Sequence, residues 1–323
     1  MSGETASVSA SEVYQRIAAN VQRVVRGKPR LVRLAVAALL SEGHLLIEDV
    51  PGLGKTTLAR CLARSVGGSW SRIQFTPDLL PGDITGVQVY RQSEERFTFQ
   101  PGGIFANVVV ADEINRGTPK TQSALLEVMS ERTVTVDAVR HEVPRPFLVI
   151  ATQNPIEMEG TYRLPEAQLD RFTMRLRVGY PDLATEVMVI MGDCANVSPD
   201  DLPAVVDIPT LQAAVAQVRA IRIVPAVVEY AASLAQATRQ HVDLRYGASP
   251  RGSIALVRAA QAVAATHGRD YVTPDDIKEV AHPVLEHRVI LTPDAELNQR
   301  RPDVVIDQIL AKVPAPVLSA EGR

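Results

Sequence analysis

A chain of 323 residues is long enough to bury a substantial core and to divide into two domains. Its 46% hydrophobic and 22% charged residues describe an ordinary globular protein, and a net charge of −3 gives no support to a broad nucleic-acid-binding surface. Two cysteines, Cys61 and Cys194, are too few for a disulfide framework or a metal cluster and read as free thiols in a reducing compartment.

The opening stretch "MSGETASVSASEV" is polar and acidic, with neither a basic n-region nor an apolar h-region. Export is not expected from it, and the cytoplasm is the expected compartment. No run approaches the roughly 18 consecutive apolar residues that span a bilayer, so no membrane insertion is expected. Residues 1–10 read as a disordered start. Residues 11–25 have helical spacing with Ser11 as N-cap, and residues 29–43 form a second helix with Pro at its start and Gly after its end. Short apolar runs typical of buried strands follow: "HLLIEDV", "SRIQFT", "VVVADEI", "PFLVIATQN" and "FTMRLRV". Helical segments at 56–66 and 120–130 lie between them. Strands alternating with helices predict an α/β fold with a mostly parallel sheet covered on both faces.

After Tyr180-Pro181-Asp182 the pattern becomes Ala- and Val-rich and helical, without a convincing strand pair. Helix starts are expected at Ser249-Pro250 and at "TPDD", residues 273–276, and Thr210 is a candidate N-cap. The expected division is an α/β nucleotide-binding domain over 11–180 and a helical domain over 181–323, with the last residues frayed.

Three strand ends carry the chemistry. "HLLIEDV" runs into "PGLGKTTLARCLA", a strand, glycine loop and helix in the order a phosphate loop requires. The pattern G-x-x-x-x-G-K-[ST] is incomplete, since Asp49 stands at the first glycine. Gly52 and Gly54, with Pro51 and Leu53 around them, let backbone N–H groups turn toward phosphate oxygens. Lys55 would reach the β- and γ-phosphates, Thr56 would offer its hydroxyl to Mg²⁺, and Thr57 continues the helix whose positive end faces the anion. "VVVADEIN" ends an apolar strand in two carboxylates, costly to place there without partners. Asp112 can hold Mg²⁺ opposite Thr56, and Glu113 can polarise water for attack on the γ-phosphate. "PFLVIATQNP" ends in Asn154, at the strand end where such sheets bind ligands; taken alone, the preferred reading is a turn residue before Pro155.

These strand ends, in this order, resemble an AAA+ ATPase. "HLLIEDVPGLGKTTLA", "IQFTPDLLPGDITG", "FQPGGIFANVVVADEINRGTPKTQSALLEVMSERTVTV", "FLVIATQNPIEMEGTYRLPEAQLDRF" and "GASPRGSIALVRAAQ" together are similar to the MoxR family, over residues 24–313. The resemblance implies an AAA+ P-loop NTPase domain followed by an all-α lid, with ATP and Mg²⁺ as cofactors. It also accounts for Asp49, because loops of this family vary at that position. Lys55 and Thr56 match the family's phosphate- and Mg²⁺-binding pair, Asp112 and Glu113 its Walker B pair, and Asn154 its first sensor. Arg171, in "EAQLDRF", matches an arginine finger that reaches a neighbouring subunit's γ-phosphate, and Arg251, in "GASPRG", matches a second sensor on the lid. Read without the resemblance, Arg171 is a surface ion pair with Asp170 or Glu166, and Arg251 a helix-surface charge. "VVRGK", which contains Val25 and Gly27, resembles the stretch lining the adenine pocket. Arg116 either faces a neighbour or is a solvated loop charge. "TPDLLPGDITGVQVYRQSEERFTFQPGGIF" resembles a helix-2 insertion, and "ERTVTVDAVRHEVPRP" a hairpin before the first sensor.

A finger acting in trans implies a closed ring of subunits, a hexamer in this family. The implied function is ATP-driven, chaperone-like remodelling, assembly or cofactor insertion of client proteins, some of which carry a von Willebrand factor A domain. A nucleic-acid motor of a related AAA+ branch is the alternative; the charge balance and the lack of an appended DNA-binding module argue against nucleic acid as a partner. A small-molecule kinase would not carry the sensors and finger. His44, His141, His241, His267, His282 and His287 show no metal-ligand spacing and read as structural or surface residues.

Overall fold

The computed structural model describes residues 8–49, 53–154, 161–190 and 198–317, with the backbone alone at 188–190. Pro51, Gly52 and Cys194 lie outside the described residues. Val13, Ile17 and Val21 recur at helical spacing and are fully buried on one face of α1 (Ala10–Gln22). This helix starts ahead of the expected position: Ser9, whose Oγ accepts from the Glu12 amide at 3.1 Å, is the N-cap, not Ser11. The reason is tertiary. Gln217 accepts from the Ala10 amide at 2.7 Å and donates to the Val8 carbonyl at 3.1 Å, so residues 8–10 are fastened, not disordered. Residues 1–7 lie outside the described residues.

α2 (Pro29–Leu40) leads into β1 (Leu45–Glu48), α3 (Lys55–Ser65) and β2 (Trp70–Gln74). An insertion follows, made of the short α4 (Pro81–Thr85) and the hairpin β3 (Val87–Arg91) and β4 (Arg96–Gln100). Then come β5 (Val108–Asp112), α5 (Pro119–Glu131), the hairpin β6 (Thr133–Val136) and β7 (Val139–Glu142), β8 (Leu148–Gln153), α6 (Glu166–Leu169) and β9 (Met174–Leu176). The five expected buried strands form one parallel sheet in the order β2-β5-β8-β1-β9. Alternate residues feed two cores: Leu45, Ile47, Val108, Val110 and Ile150 on one face, Leu46, Val109, Ala111 and Val149 on the other. The insertion and the second hairpin meet where Phe99 stacks on His141, with ring centroids 3.8 Å apart.

The remainder is helical: α7 (Leu183–Ile190), α8 (Ile208–Ala220), α9 (Pro225–Gln240), then, beyond β10 (Leu244–Tyr246), α10 (Pro250–Thr266) and α11 (Pro274–Leu285), and, beyond β11 (Ile290–Leu291), α12 (Pro293–Leu297) and α13 (Pro302–Lys312). Ser249 and Thr273 cap their helices as expected. α8 is capped by Asp207, whose Oδ1 accepts from the Thr210 amide at 2.9 Å; Thr210 is the capped residue and not the cap. β10 and β11 form a small antiparallel pair where none was expected. A two-residue strand is too short to show alternation, so its pairing is decided by the fold around it. α2 packs on α10, and one apolar core runs from α1–α3 through α10, α11 and α13. No helix among the described residues is long and apolar enough to cross a membrane.

Candidate nucleotide site

β1, β8 and β5 are adjacent and parallel, which brings Asp49, Asn154 and Glu113 to one edge of the sheet, beyond the strands' C-terminal ends. Gly54, with φ +78°, adopts the left-handed conformation that favours glycine and starts α3 without a side-chain cap. The N-terminal end of α3, the positive end of its dipole, thus opens at the glycine loop. Lys55 Nζ donates to the carbonyls of Asp49 and of Gln153, the latter at 3.0 Å. Leu53 is partly buried against the core. Gly54, Lys55, Thr56 and Thr57 line a cavity of about 380 Å³, together with Asp112, Glu113 and Asn154.

Asp112 is almost wholly buried, yet each carboxylate oxygen has donors. Oδ1 accepts from Thr56 Oγ1 at 2.9 Å and from Thr152 Oγ1 at 3.0 Å, and Oδ2 accepts from Arg72 Nε at 2.8 Å. Glu113 has φ +54°, a strained value for a non-glycine residue, and its amide donates to Thr152 Oγ1 at 3.0 Å. Its Oε2 accepts from Gln74 Nε2 at 3.0 Å and from Arg116 Nη1 at 3.3 Å. Arg116 is thus engaged with Glu113 in this chain. Asn154 is buried, and its carbonyl accepts from Asn115 Nδ2 at 3.2 Å.

Nothing in the sequence pattern singles out Arg72 or Gln74. Arg72 and Gln74 reach the site only because β2 pairs with β5, with Gln74 opposite Asp112. Thr152 did leave a signal: it sits near the end of β8, two residues before Asn154, which lies just past the strand.

Arg171 and Arg251 do not line this cavity. They line a second one of about 250 Å³, with Arg258 and Arg288. Arg171 Nη1 donates to the Leu126 carbonyl and, at 3.0 Å, to Ser130 Oγ. Asp170 is engaged by Arg288 Nε at 2.8 Å and Ser249 Oγ at 2.9 Å instead. Arg251 is exposed at the start of α10. Gly27 borders a third cavity, of about 390 Å³, with residues of β9 and with His282 and Glu286; Val25 packs against the core.

The remaining titratable groups are mostly structural. Burial pushes the His44 ring down to about 4, and the neutral ring bridges the Val149 amide and the Met129 carbonyl, each at 3.0 Å. Burial also lowers His287 well below its usual value. Burial pushes the Cys61 thiol up to about 12, which makes it unreactive.

Comparison with known proteins agrees with this geometry. Residues 44–174 match the ATPase family associated with various cellular activities (AAA), and residues 236–309 match the AAA lid domain. The chain is 48% identical to uncharacterized protein YeaC of Bacillus subtilis, over 94% of this chain and 95% of that one. It is 43% identical to chaperone MoxR1 of Mycobacterium tuberculosis (96% and 85% covered) and 33% identical to protein MoxR of Methylorubrum extorquens (93% and 94%). The crystal structure of a candidate ATPase from Cytophaga hutchinsonii superposes with a TM-score of 0.88 at 37% identity, covering 95% of this chain and 96% of that one.

Proposed function

Because this chain belongs to the MoxR family of AAA+ ATPases, we propose that it turns over ATP with Mg²⁺ at the cavity between α3 and β5, and uses the cycle to remodel or assemble client proteins. Residues 11–180 act as the nucleotide-binding domain and 181–323 as the lid, in a hexameric ring in the cytoplasm. The observation that carries the reading is the bonded series Thr56–Asp112–Thr152–Glu113 facing a cavity that Lys55 also lines.

An oxygen donor set of one carboxylate and one hydroxyl suits Mg²⁺, so Asp112 and Thr56 are the residues to hold it. When bound, the ion neutralises charge on the β- and γ-phosphates. Lys55 exchanges its two carbonyl acceptors for phosphate oxygens, a stronger charge-assisted bond. Glu113 leaves Gln74 and Arg116 to accept a proton from the attacking water, which Asn154 orients. Val25 and Gly27 border the adenine. Arg171, grouped away from Lys55, serves a neighbouring subunit's γ-phosphate, for which a guanidinium fork is well shaped, and Arg251, at the start of α10, is the second sensor that couples the lid to nucleotide state. The chaperone role is supported by the likeness to chaperone MoxR1 over nearly the whole chain, and a client with a von Willebrand factor A domain is the partner to look for. No nucleic acid is required by this reading.

Glu113→Gln tests the assignment. The variant should bind ATP like wild type while kcat falls by about 10²–10³. Trapped with ATP, it is also the bait of choice for clients. Hydrolysis at the native rate would remove Glu113 from the mechanism.

A further inference from the structure

Asp49 stands where the general phosphate-loop pattern has glycine, and its polar groups serve two different parts of the molecule. Its backbone carbonyl accepts from Lys55 Nζ, inside the loop. Its carboxylate Oδ2 accepts the backbone N–H of Gly179 at 2.7 Å. Gly179, with φ +68°, lies between the end of β9 at Leu176 and the start of α7 at Leu183, on the passage into the helical part. Two further bonds lie in that passage, one to Lys28 and one within the start of α7. Lys28 Nζ donates to the Tyr180 carbonyl at 2.6 Å, and Asp182 Oδ1 accepts from the Thr185 amide at 2.8 Å. The residue before Asp49 reaches the same way: Glu48 pairs with Arg175 at 3.1 Å, and Arg175 with Glu286, just past α11, at 3.4 Å. Two consecutive acidic residues at the exit of β1 thus connect the start of the phosphate loop to the approach to the lid.

We propose that Asp49 is a positioning residue that couples the phosphate loop to the lid through the bond from its carboxylate to the Gly179 amide. Glycine at this position would satisfy the loop's conformation but leave the Gly179 N–H without this acceptor. A carboxylate makes the bond charge-assisted, and so stronger than a neutral one. When phosphate draws Lys55 away, the Asp49 carbonyl loses that donor while the carboxylate still holds Gly179. A shift of the loop is then transmitted to residues 177–183 instead of being absorbed locally. The inference rests on this loop being the nucleotide site.

Hydrogen exchange resolves the two questions separately. Wild type, Asp49→Gly and Asp49→Asn are compared without nucleotide, with Mg²⁺ and ADP, and with Mg²⁺ and a non-hydrolysable ATP analogue. In Asp49→Gly the Gly179 amide should exchange at least about tenfold faster, nucleotide should no longer protect residues 183–190, and kcat should fall more than KM rises. Asp49→Asn keeps an acceptor oxygen and should restore most of each effect. Equal protection of Gly179 in wild type and Asp49→Gly, or no recovery with asparagine, overturns the coupling role. If exchange within residues 53–58 of wild type ignores nucleotide altogether, it is the nucleotide-site reading that fails.

Discussion

Thr152 connects the Asp112 carboxylate to the Glu113 backbone, and one hydroxyl does both tasks. It donates to Asp112 Oδ1 at 3.0 Å and accepts the Glu113 amide at 3.0 Å, while only 2% exposed. Valine has nearly the same shape but can make neither bond. Thr152→Val would leave the Glu113 N–H unsatisfied, at a cost of about 1–3 kcal/mol, and withdraw support from the strained φ of Glu113. Thermal melting should register the loss of stability, and steady-state turnover should fall by at least about tenfold. Thr152→Ser should retain both properties, because it keeps the oxygen. Native turnover in the valine variant would show that Glu113 holds its position by other means. Much of the site was legible because Lys55, Thr56, Asp112 and Glu113 sit in local motifs; Arg72 and Gln74 were not, because only the lateral order of strands brings β2 beside β5. Strand order is a property of the whole sheet, and no window of residues encodes it.

At the scale of elements, the central strands β1, β5 and β8 were readable because they are buried on both faces and so show continuous apolar runs, whereas the outer strands β2 and β9 are only partly buried and carry Arg72 and Arg175. Helix starts were less exact where two capping residues lie close together, as with Ser9 and Ser11 or Asp207 and Thr210; distant contacts such as Gln217 to Ala10 select between them. An ion cluster between helices was equally invisible. His282 on α11 bonds Glu286 through Nδ1 at 3.0 Å and Asp307 on α13 through Nε2 at 2.9 Å. The Glu286 bond raises the ring's pKa, burial opposes it, and Asp307 adds to the rise. Burial tends to raise the Glu286 carboxyl, but His282, Arg175 and Arg177 together outweigh it and lower it. Folding therefore favours protonated His282. Its contribution is whole below the usual imidazole value of about 6.5 and is lost as pH rises through the raised folded value. Melting temperatures taken from pH 5.5 to 8.5 should fall more for wild type than for His282→Gln. The difference should stay on the order of 1 kcal/mol or less, because Asp307 is largely exposed. Parallel pH profiles of the two proteins would mean that the cluster does not hold α11 to α13.

For the whole molecule, the decisive fact is that the residues proposed for the site occupy two cavities. Glu113 lines the cavity of the phosphate loop, whereas Arg171 is held at the far end of α5 by the Leu126 carbonyl and Ser130, beside Arg251. If Arg171 acts in trans as proposed, the site is complete only beside another copy, and head-to-tail contacts between copies would close into a ring. Mixing separates this from a site completed within one chain. Arg171→Ala and Glu113→Gln should each be nearly inactive alone, since an arginine acting in trans contributes on the order of 10³–10⁵ in related enzymes. Mixed one to one and assembled with ATP, they create interfaces that pair an intact Glu113 with a neighbour's intact Arg171. With random assembly and independent interfaces, such pairs make up about a quarter of the total, so about a quarter of wild-type turnover should return. Arg171 acting in cis would return none, because no subunit in the mixture carries both residues. Sedimentation of the same samples keeps the result decisive: an inactive mixture that is nonetheless assembled, or a strictly monomeric protein with ATP that still hydrolyses it, removes the trans arrangement.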